Sequence, residues 1–264
     1  MEQLGLRQVQ RKLLDIALTV DGLCQKHNIP MFMIAGTMLG AVRHKGFIPW
    51  DDDMDFAVPY EQYDKLIKVL RDELPKHLRC LTYDMSETYQ IPWIKVEDVN
   101  SQVIDNCLDL PVDRMPGLTI DIFPLVRCQK DKCDVIVRKI QRWIKIKRYV
   151  YTKSNKVNSR LKNTMKNIIS AIFPISSTNI CNRIMKLTDS IPTGNHYIIP
   201  MDPNYSNRYF SRQWFEPLTK YKFENHSFYG AVDYDNYLRE LYNNYMELPP
   251  EDKRRTHLLD TYLK

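Results

Sequence analysis

The stretch GTMLGAVRHKGFIPWDDDMDF, residues 36–56, decides how this chain is read. One apolar run ends at it and another leaves it. Between them stand Asp51, Asp52, Asp53 and Asp55, with Met54 the single interruption. In an extended segment successive side chains alternate faces, which puts Asp53 and Asp55 on one side and sends Met54 and Phe56 into the core. Carboxylates held that close repel unless a cation lies between them, and a hard divalent ion with oxygen ligands suits such a pair. The competing reading is a solvated acidic turn after Pro49. The setting weighs against it, because the run feeds an apolar strand and follows a glycine-bounded loop carrying Arg43, His44 and Lys45.

Upstream, Gly36 and Thr37 fall where a short strand meets a short helix. Free backbone N–H groups and a hydroxyl there are able to face a phosphate, and the glycine allows close approach. Downstream, LTIDIFPL carries Asp121 within an otherwise apolar strand, where an isolated carboxylate is costly unless paired or metal-bound. The combination reads as phosphates on the loop and metal on the acids.

Periodicity extends the picture. Residues 3–26 repeat apolar positions at three- and four-residue spacing, from Leu6, Val9 and Leu13 through Leu23, and read as an amphipathic helix. MFMIAG (31–36) reads as a strand, TMLGAVRHKG (37–46) as one or two helical turns, and MDFAV (54–58) as a strand stopped by Pro59. A helix is expected over 60–74, strands at 79–83, 91–97, 101–105 and 118–123, and helices again from about 131. There Ile136, Ile140, Trp143 or Ile144, and Val150 or Tyr151 share one side. A further helix is expected over 156–172, then turns, aromatic-rich strand or loop segments, and a final helix over 234–246. The fold class is α+β.

At 264 residues, with 44% hydrophobic and 27% charged residues, the chain is long enough to bury its own core. No apolar run is long enough for a membrane span, and the first 20 residues intersperse charges among the apolar positions, so a cytoplasmic location is expected. Cys24, Cys80, Cys107, Cys128, Cys133 and Cys181 form no CxxC pair, which argues against a zinc site and a disulfide framework. The net charge is +6, yet residues 127–166 alone hold 14 Lys or Arg against two Asp. An amphipathic basic helix with Trp143 suits a membrane surface; a solvated basic face on a packed helix is the other reading. No nucleic-acid module accompanies the charge, and no nucleic-acid partner is expected. His44 and His257 are conceivable general bases, although single histidines in charged loops are commonly surface residues.

The stretch AGTMLGAVRHKGFIPWDDDMDF resembles the signature of the LicD family, phosphocholine transferases of bacterial glycan decoration within the nucleotidyltransferase superfamily that also holds fukutin-like proteins. The likeness continues in IDIFPL (120–125) and in YDNYLRELYNNYMELPPEDKRRTH near the C-terminus. It implies a nucleotidyltransferase-like mixed sheet flanked by helices in one domain over 1–264, with the basic helical segment 127–190 as an insertion and a C-terminal helix. It implies Asp53, Asp55 and Asp121 as catalytic acids, metal held by these three with Asp51, and donor phosphates on Gly36 and Thr37. Arg43, Lys45 and Lys95 are further candidates for the phosphates. Asp52 faces away under the alternation and is expected to be dispensable.

The implied chemistry is Mg²⁺-dependent, with Mn²⁺ as an alternative. It transfers a phospho-alcohol group, phosphocholine first, from CDP-choline or another CDP-linked donor to a sugar hydroxyl of a glycan or its lipid-linked precursor, at or near the inner leaflet. A quaternary ammonium would call for an aromatic cage, which the Tyr-rich C-terminal third is able to supply. Two other classes use the same parts: a nucleotidyltransferase that releases pyrophosphate, and a non-catalytic glycan- or nucleotide-binding protein. The sequence departs from the family pattern at Glu97, where an arginine is common, at Asn225 after FE, and at Tyr242-Asn243-Asn244 in place of YGD.

Overall fold

A computed structural model describes residues 2–82, 92–104, 116–151, 176–254 and 260–264. The first helix, α1 (Leu6–Lys26), begins at the first residue of its apolar pattern and three residues after the start of the expected range 3–26, because the Gln8 side chain accepts from the Gly5 N–H at 2.8 Å and caps the start there. Val9, Leu13, Ile16, Ala17, Val20 and Cys24 are buried as their spacing requires. After the loop the chain makes a strand of only two residues, β2 (Phe32–Met33), before turning into α2 (Ala35–Arg43). The turn comes this early because Ala35 already adopts a left-handed backbone, with φ +49°. Next come β3 (Asp55–Pro59), a single 3-10 turn over Tyr60–Gln62 and α3 (Tyr63–Glu73). Then follow β4 (Leu78–Leu81), β5 (Ile94–Asp98), β6 (Ser101–Ile104) and the long β7 (Thr119–Cys128).

The second half contributes α4 (Lys130–Tyr151), α5 (Ser177–Asp189), β8 (His196–Ile198) and β9 (Phe210–Ser211). The hairpin β10 (Thr219–Phe223) and β11 (His226–Gly230) follows, with α6 (Tyr234–Tyr242) and β12 (Asp260–Leu263) after it. The main sheet runs β10-β11-β2-β3-β7-β5-β4, with β8 and β9 added beyond the far end of β7. It is mixed: β11–β2 and β3–β7 are parallel, while β2–β3, β7–β5 and β5–β4 are antiparallel. A small antiparallel sheet joins β1 (Glu2–Gln3), β12 and β6.

The central strands are the driest part of the molecule. Phe56, Ala57 and Val58 on β3, and Ile120, Ile122 and Leu125 on β7, are fully buried, as expected of strands covered on both faces. α1 packs on α3, β5 and β7, whereas α2 lies against β3, β10 and α6. The expected α+β class is therefore the observed one.

Two expectations change in the second half. In α4 the buried stripe is Cys133, Val137, Ile140 and Ile144, packed against α5; Ile136 and Trp143 are only partly covered, and the side chains of Val150 and Tyr151 lie outside the described residues. The true stripe is rotated toward Cys133 and Val137 because α5, which falls within the expected helical segment 127–190 but has no bounds of its own there, sits on that side. The expected helix over 156–172 lies outside the described residues. The final helix also ends earlier than expected, at Tyr242, where Asn243 takes φ +54°.

Candidate active site

Strand register brings two of the acids together. β3 and β7 run parallel with Asp55 directly opposite Asp121, and the Asp121 N–H donates to Met54 O at 3.0 Å. Met54 and Phe56 are fully buried, so the alternation expected of this segment holds. Burial first, then Asp53 and Asp121, push the Asp55 carboxyl well above the usual carboxylate range, and Lys95 opposes them in part. Burial, then Asp53 and Asp52, push Asp51 up to about 8; the Asp52 backbone N–H, donated to the Asp51 carboxylate, acts the other way. Asp51, Asp53, Asp55 and Asp121 thus crowd together at the start of β3 and beside it on β7.

Asp121 has two partners of its own. The Lys95 ammonium on neighbouring β5 lies 2.6 Å from Oδ1, and the Trp93 indole N–H donates to Oδ2 at 3.1 Å. Lys95 faces Asp121 by strand register, so the pair follows from the sheet itself.

The turn ahead of α2 holds Asp55 by its backbone. Ile34 N–H donates to Asp55 O at 3.1 Å, and the Asp55 N–H donates to the Thr37 hydroxyl oxygen at 2.8 Å. Thr37, expected as a phosphate contact, is therefore also a brace for β3, its hydroxyl still having a proton to donate. Gly36 lies against Asp51: a Cβ there would come within 3.0 Å of Oδ2. Gly36 and Thr37 occupy the first turn of α2, where backbone N–H groups have no intrahelical acceptor and the helix presents its positive end. Ala35, held at φ +49°, donates its N–H to the Tyr237 hydroxyl at 3.0 Å.

Arg43 and Lys45 lie elsewhere. Arg43 is the last residue of α2, about 10 Å along its axis from Gly36. It donates to Tyr245 O at 2.7 Å and to His44 Nε2 at 2.9 Å. Lys45 is exposed and donates to Val42 O at 3.1 Å. The described contacts of both are with atoms other than the acids, because the helix turns the basic loop toward the C-terminal segment. His257 lies outside the described residues.

Several supports escaped sequence reasoning. Gln10, a polar residue on the buried stripe of α1, donates to Asp51 O at 2.8 Å; its place among apolar neighbours was the available signal. Glu224 at the β10–β11 turn accepts both Arg7 guanidinium donors, at 2.9 and 2.7 Å, and its own N–H donates to Lys45 O at 2.7 Å. Tyr205 and Tyr242 feel the charge of the acids: burial chiefly raises both phenols, and the charge of Asp55 adds to it. Nothing in their spacing distinguished them from the other tyrosines.

A divalent cation suits this donor set in chemistry, since every candidate ligand is a carboxylate oxygen and, among the described residues, Lys95 is the cation seen paired with one of these acids. Among the described residues no three His, Cys, Asp or Glu side chains are gathered as a ready metal centre. Ligation through Asp121 Oδ1 would require the Lys95 ammonium to move aside.

Residues 28–183, more than half of the chain, match the family model described as LicD/FKTN/FKRP, nucleotidyltransferase domain. The chain belongs to the LicD family. The matched segment contains all of the acids and phosphate candidates expected from sequence and stops short of Tyr205, Tyr237, Tyr242 and His257. The chain is also 26% identical, over the full length of both proteins, to the lipopolysaccharide cholinephosphotransferase LicD of Haemophilus influenzae. Two uncharacterized Rickettsia proteins match shorter stretches. RP689 of Rickettsia prowazekii is 46% identical over 48 residues, 18% of each chain, and RT0683 of Rickettsia typhi is 51% identical over 39 residues, 15% of this chain and 13% of that one. The expectation of a LicD-type transferase agrees with these findings.

Among the departures from the LicD pattern, Glu97 has a local reason. Glu97 is buried and accepts from Arg79 at 2.9 and 2.7 Å and from the Gly117 N–H at 2.6 Å, so it is a tie between β4, β5 and the start of β7. Asn243, where the pattern has glycine, sits at φ +54° and ψ −107°, a conformation that glycine adopts at less cost.

Proposed function

We propose that this LicD-family chain transfers a phospho-alcohol group, phosphocholine first among them, from a CDP-activated donor to a sugar hydroxyl of a cell-surface glycan or its lipid-linked precursor, releasing CMP. The full-length likeness to a lipopolysaccharide cholinephosphotransferase supports the substrate class. The observation that carries the reading is the placement of Asp55 opposite Asp121, directly beside the turn formed by residues 34–37.

In this reading the donor diphosphate lies against the Gly36 and Thr37 N–H groups. Asp51, Asp53, Asp55 and Asp121 would hold Mg²⁺ or Mn²⁺, which would supply charge neutralisation for the phosphates. The acceptor hydroxyl oxygen bonds to the distal phosphorus, the bridging oxygen departs with CMP, and Asp121 takes the hydroxyl proton. Trp93 and Lys95 orient the Asp121 carboxylate for that task, and Lys95 also tempers the surplus charge.

The exposed side of α4 carries Arg138, Lys139, Arg142 and Lys145, while its apolar stripe is covered by α5. This supports attachment to an anionic inner leaflet through charge alone, without insertion. Among the described residues no helix is long and apolar enough to cross a membrane.

The test is CMP release from CDP-choline, CDP-ribitol and CDP-glycerol with a crude glycan or lipid-linked acceptor pool, in Mg²⁺ and in EDTA, for wild type and Asp53→Ala. Mg²⁺-dependent release that the variant lacks establishes the reaction and identifies the donor. Pyrophosphate release from CTP and a phosphorylated alcohol, with no CMP from any donor, would assign the chain to the nucleotidyltransferases instead.

A further inference from the structure

Ala35 stands out as a buried, non-glycine residue held at φ +49° immediately before Gly36 and Thr37. A left-handed backbone is unfavourable for alanine and persists where surrounding structure imposes it. The surroundings are specific. The Ala35 N–H donates to the Tyr237 hydroxyl at 3.0 Å, and Tyr237 is itself 1% exposed. Its ring is wedged edge-on against Phe210 and Phe215, with centroids 5.0 and 5.3 Å away. On either side of Ala35 the chain grips Asp55, through the Ile34 N–H and the Thr37 hydroxyl. Rotation of Ala35 into an ordinary backbone conformation would therefore turn Gly36 and Thr37 away from the acids as well as break the bond to Tyr237.

We propose that Tyr237 is a positioning residue for donor binding: its buried hydroxyl holds Ala35 in the left-handed conformation that aims the Gly36 and Thr37 N–H groups at the donor phosphates. The proposal rests on the reading of this turn as the phosphate site. Tyr237 touches neither phosphate nor acceptor; it acts through one backbone N–H, from a helix about 200 positions downstream. Tyr237→Phe removes the oxygen and keeps the ring among the phenylalanines. Because glycine adopts positive φ without penalty, Ala35→Gly lessens the need for that hold.

The experiment compares wild type, Tyr237→Phe, Ala35→Gly and the double variant for CDP affinity by calorimetry, and for donor KM and kcat with the donor that turns over. Melting temperature is recorded for each. Tyr237→Phe is expected to weaken CDP binding and raise donor KM about tenfold, the effect of one lost hydrogen bond on a bound state, with kcat within about twofold. The double variant is expected to recover at least half of the lost affinity on a logarithmic scale. A Tyr237→Phe variant that melts earlier but keeps wild-type CDP affinity and KM overturns the proposal, as does a defect that Ala35→Gly leaves unrelieved. Wild type that binds no CDP overturns the phosphate reading and the proposal with it. Wild type that binds CDP without turning over any donor overturns the transferase reading alone, and the calorimetric comparison still decides the role of Tyr237.

Discussion

Asp55 and Asp121 face each other across two parallel strands, so these two acids of the candidate site belong to the central strands of the sheet, while Asp51 and Asp53 lie in the chain that leads into β3. Asp53 lies one alternation upstream of Asp55. Asp53→Asn and Asp55→Asn are expected to lower kcat by about 10³-fold, while Asp52→Asn stays within about threefold, because Asp52 serves Asp51 through its backbone N–H, which Asn retains. Parallel losses of activity at 52 and 53 would overturn the alternation argument.

The same crowding predicts a gain in stability. In EDTA, Asp55→Asn removes one of several like charges from a buried cluster, and its melting temperature should exceed that of wild type. About 2–4 °C is expected for each kcal/mol of repulsion relieved. A variant that melts earlier than wild type in EDTA would mean that Lys95 already balances the acids.

Stability should also depend on pH through Asp51. This carboxyl titrates near 4 in the unfolded chain and near 8 in the folded one, so between those values the native state binds a proton that the unfolded state lacks. Without a divalent cation, the Asp51 contribution therefore makes stability fall as pH rises from about 4 to about 8. Mg²⁺ must displace that proton, and the rise in melting temperature on adding saturating Mg²⁺ should be larger at pH 8 than at pH 5. An increment independent of pH would exclude Asp51 from metal binding.

Thr37→Val should leave the Asp55 N–H without its acceptor, costing about 1–3 kcal/mol of stability, whereas Thr37→Ser keeps the bond and costs less. Chemical denaturation of both variants checks this. A larger loss in Thr37→Ser than in Thr37→Val would show that the methyl group, not the hydroxyl, is what matters.

Binding to anionic vesicles should be lost in high salt, and in a variant carrying Arg138→Ser, Lys139→Ser, Arg142→Ser and Lys145→Ser together, because the apolar stripe of α4 is already covered. Flotation with vesicles at low and high salt reads this out. Binding that survives high salt would point to an inserted apolar surface.

How much of this was legible before folding depends on the range of each interaction. The acidic alternation, the brief α2 and the apolar β3 and β7 were readable because they are set by neighbours a few residues apart. The partnership of Asp55 with Asp121 was readable only as a suspicion, from one costly acid in an apolar run. The stripe of α4 came out rotated because periodicity tells that a helix has a face, while the partner, here α5, chooses it. Arg43 and Lys45 looked like phosphate ligands because their charge is near the acids in sequence; nine residues of helix carry them to its other end. Gln10, Trp93 and Tyr237 act through hydrogen bonds across the fold, and no local pattern encodes those.

The parallel pairing of Phe32 on β2 with Tyr229 on β11 joins residues 197 positions apart. At translation rates of about 5–20 residues per second, roughly 10–40 s separate the synthesis of one partner from that of the other. During that interval β2 has β3 on one flank and nothing of its own chain on the other, beside the apolar residues Met31 to Ala35. The nascent protein therefore carries an open hydrophobic strand edge, a template for pairing with other chains, until its last quarter emerges. Truncated or stalled chains would be expected to depend on chaperones or to aggregate through this edge, which only the late hairpin closes.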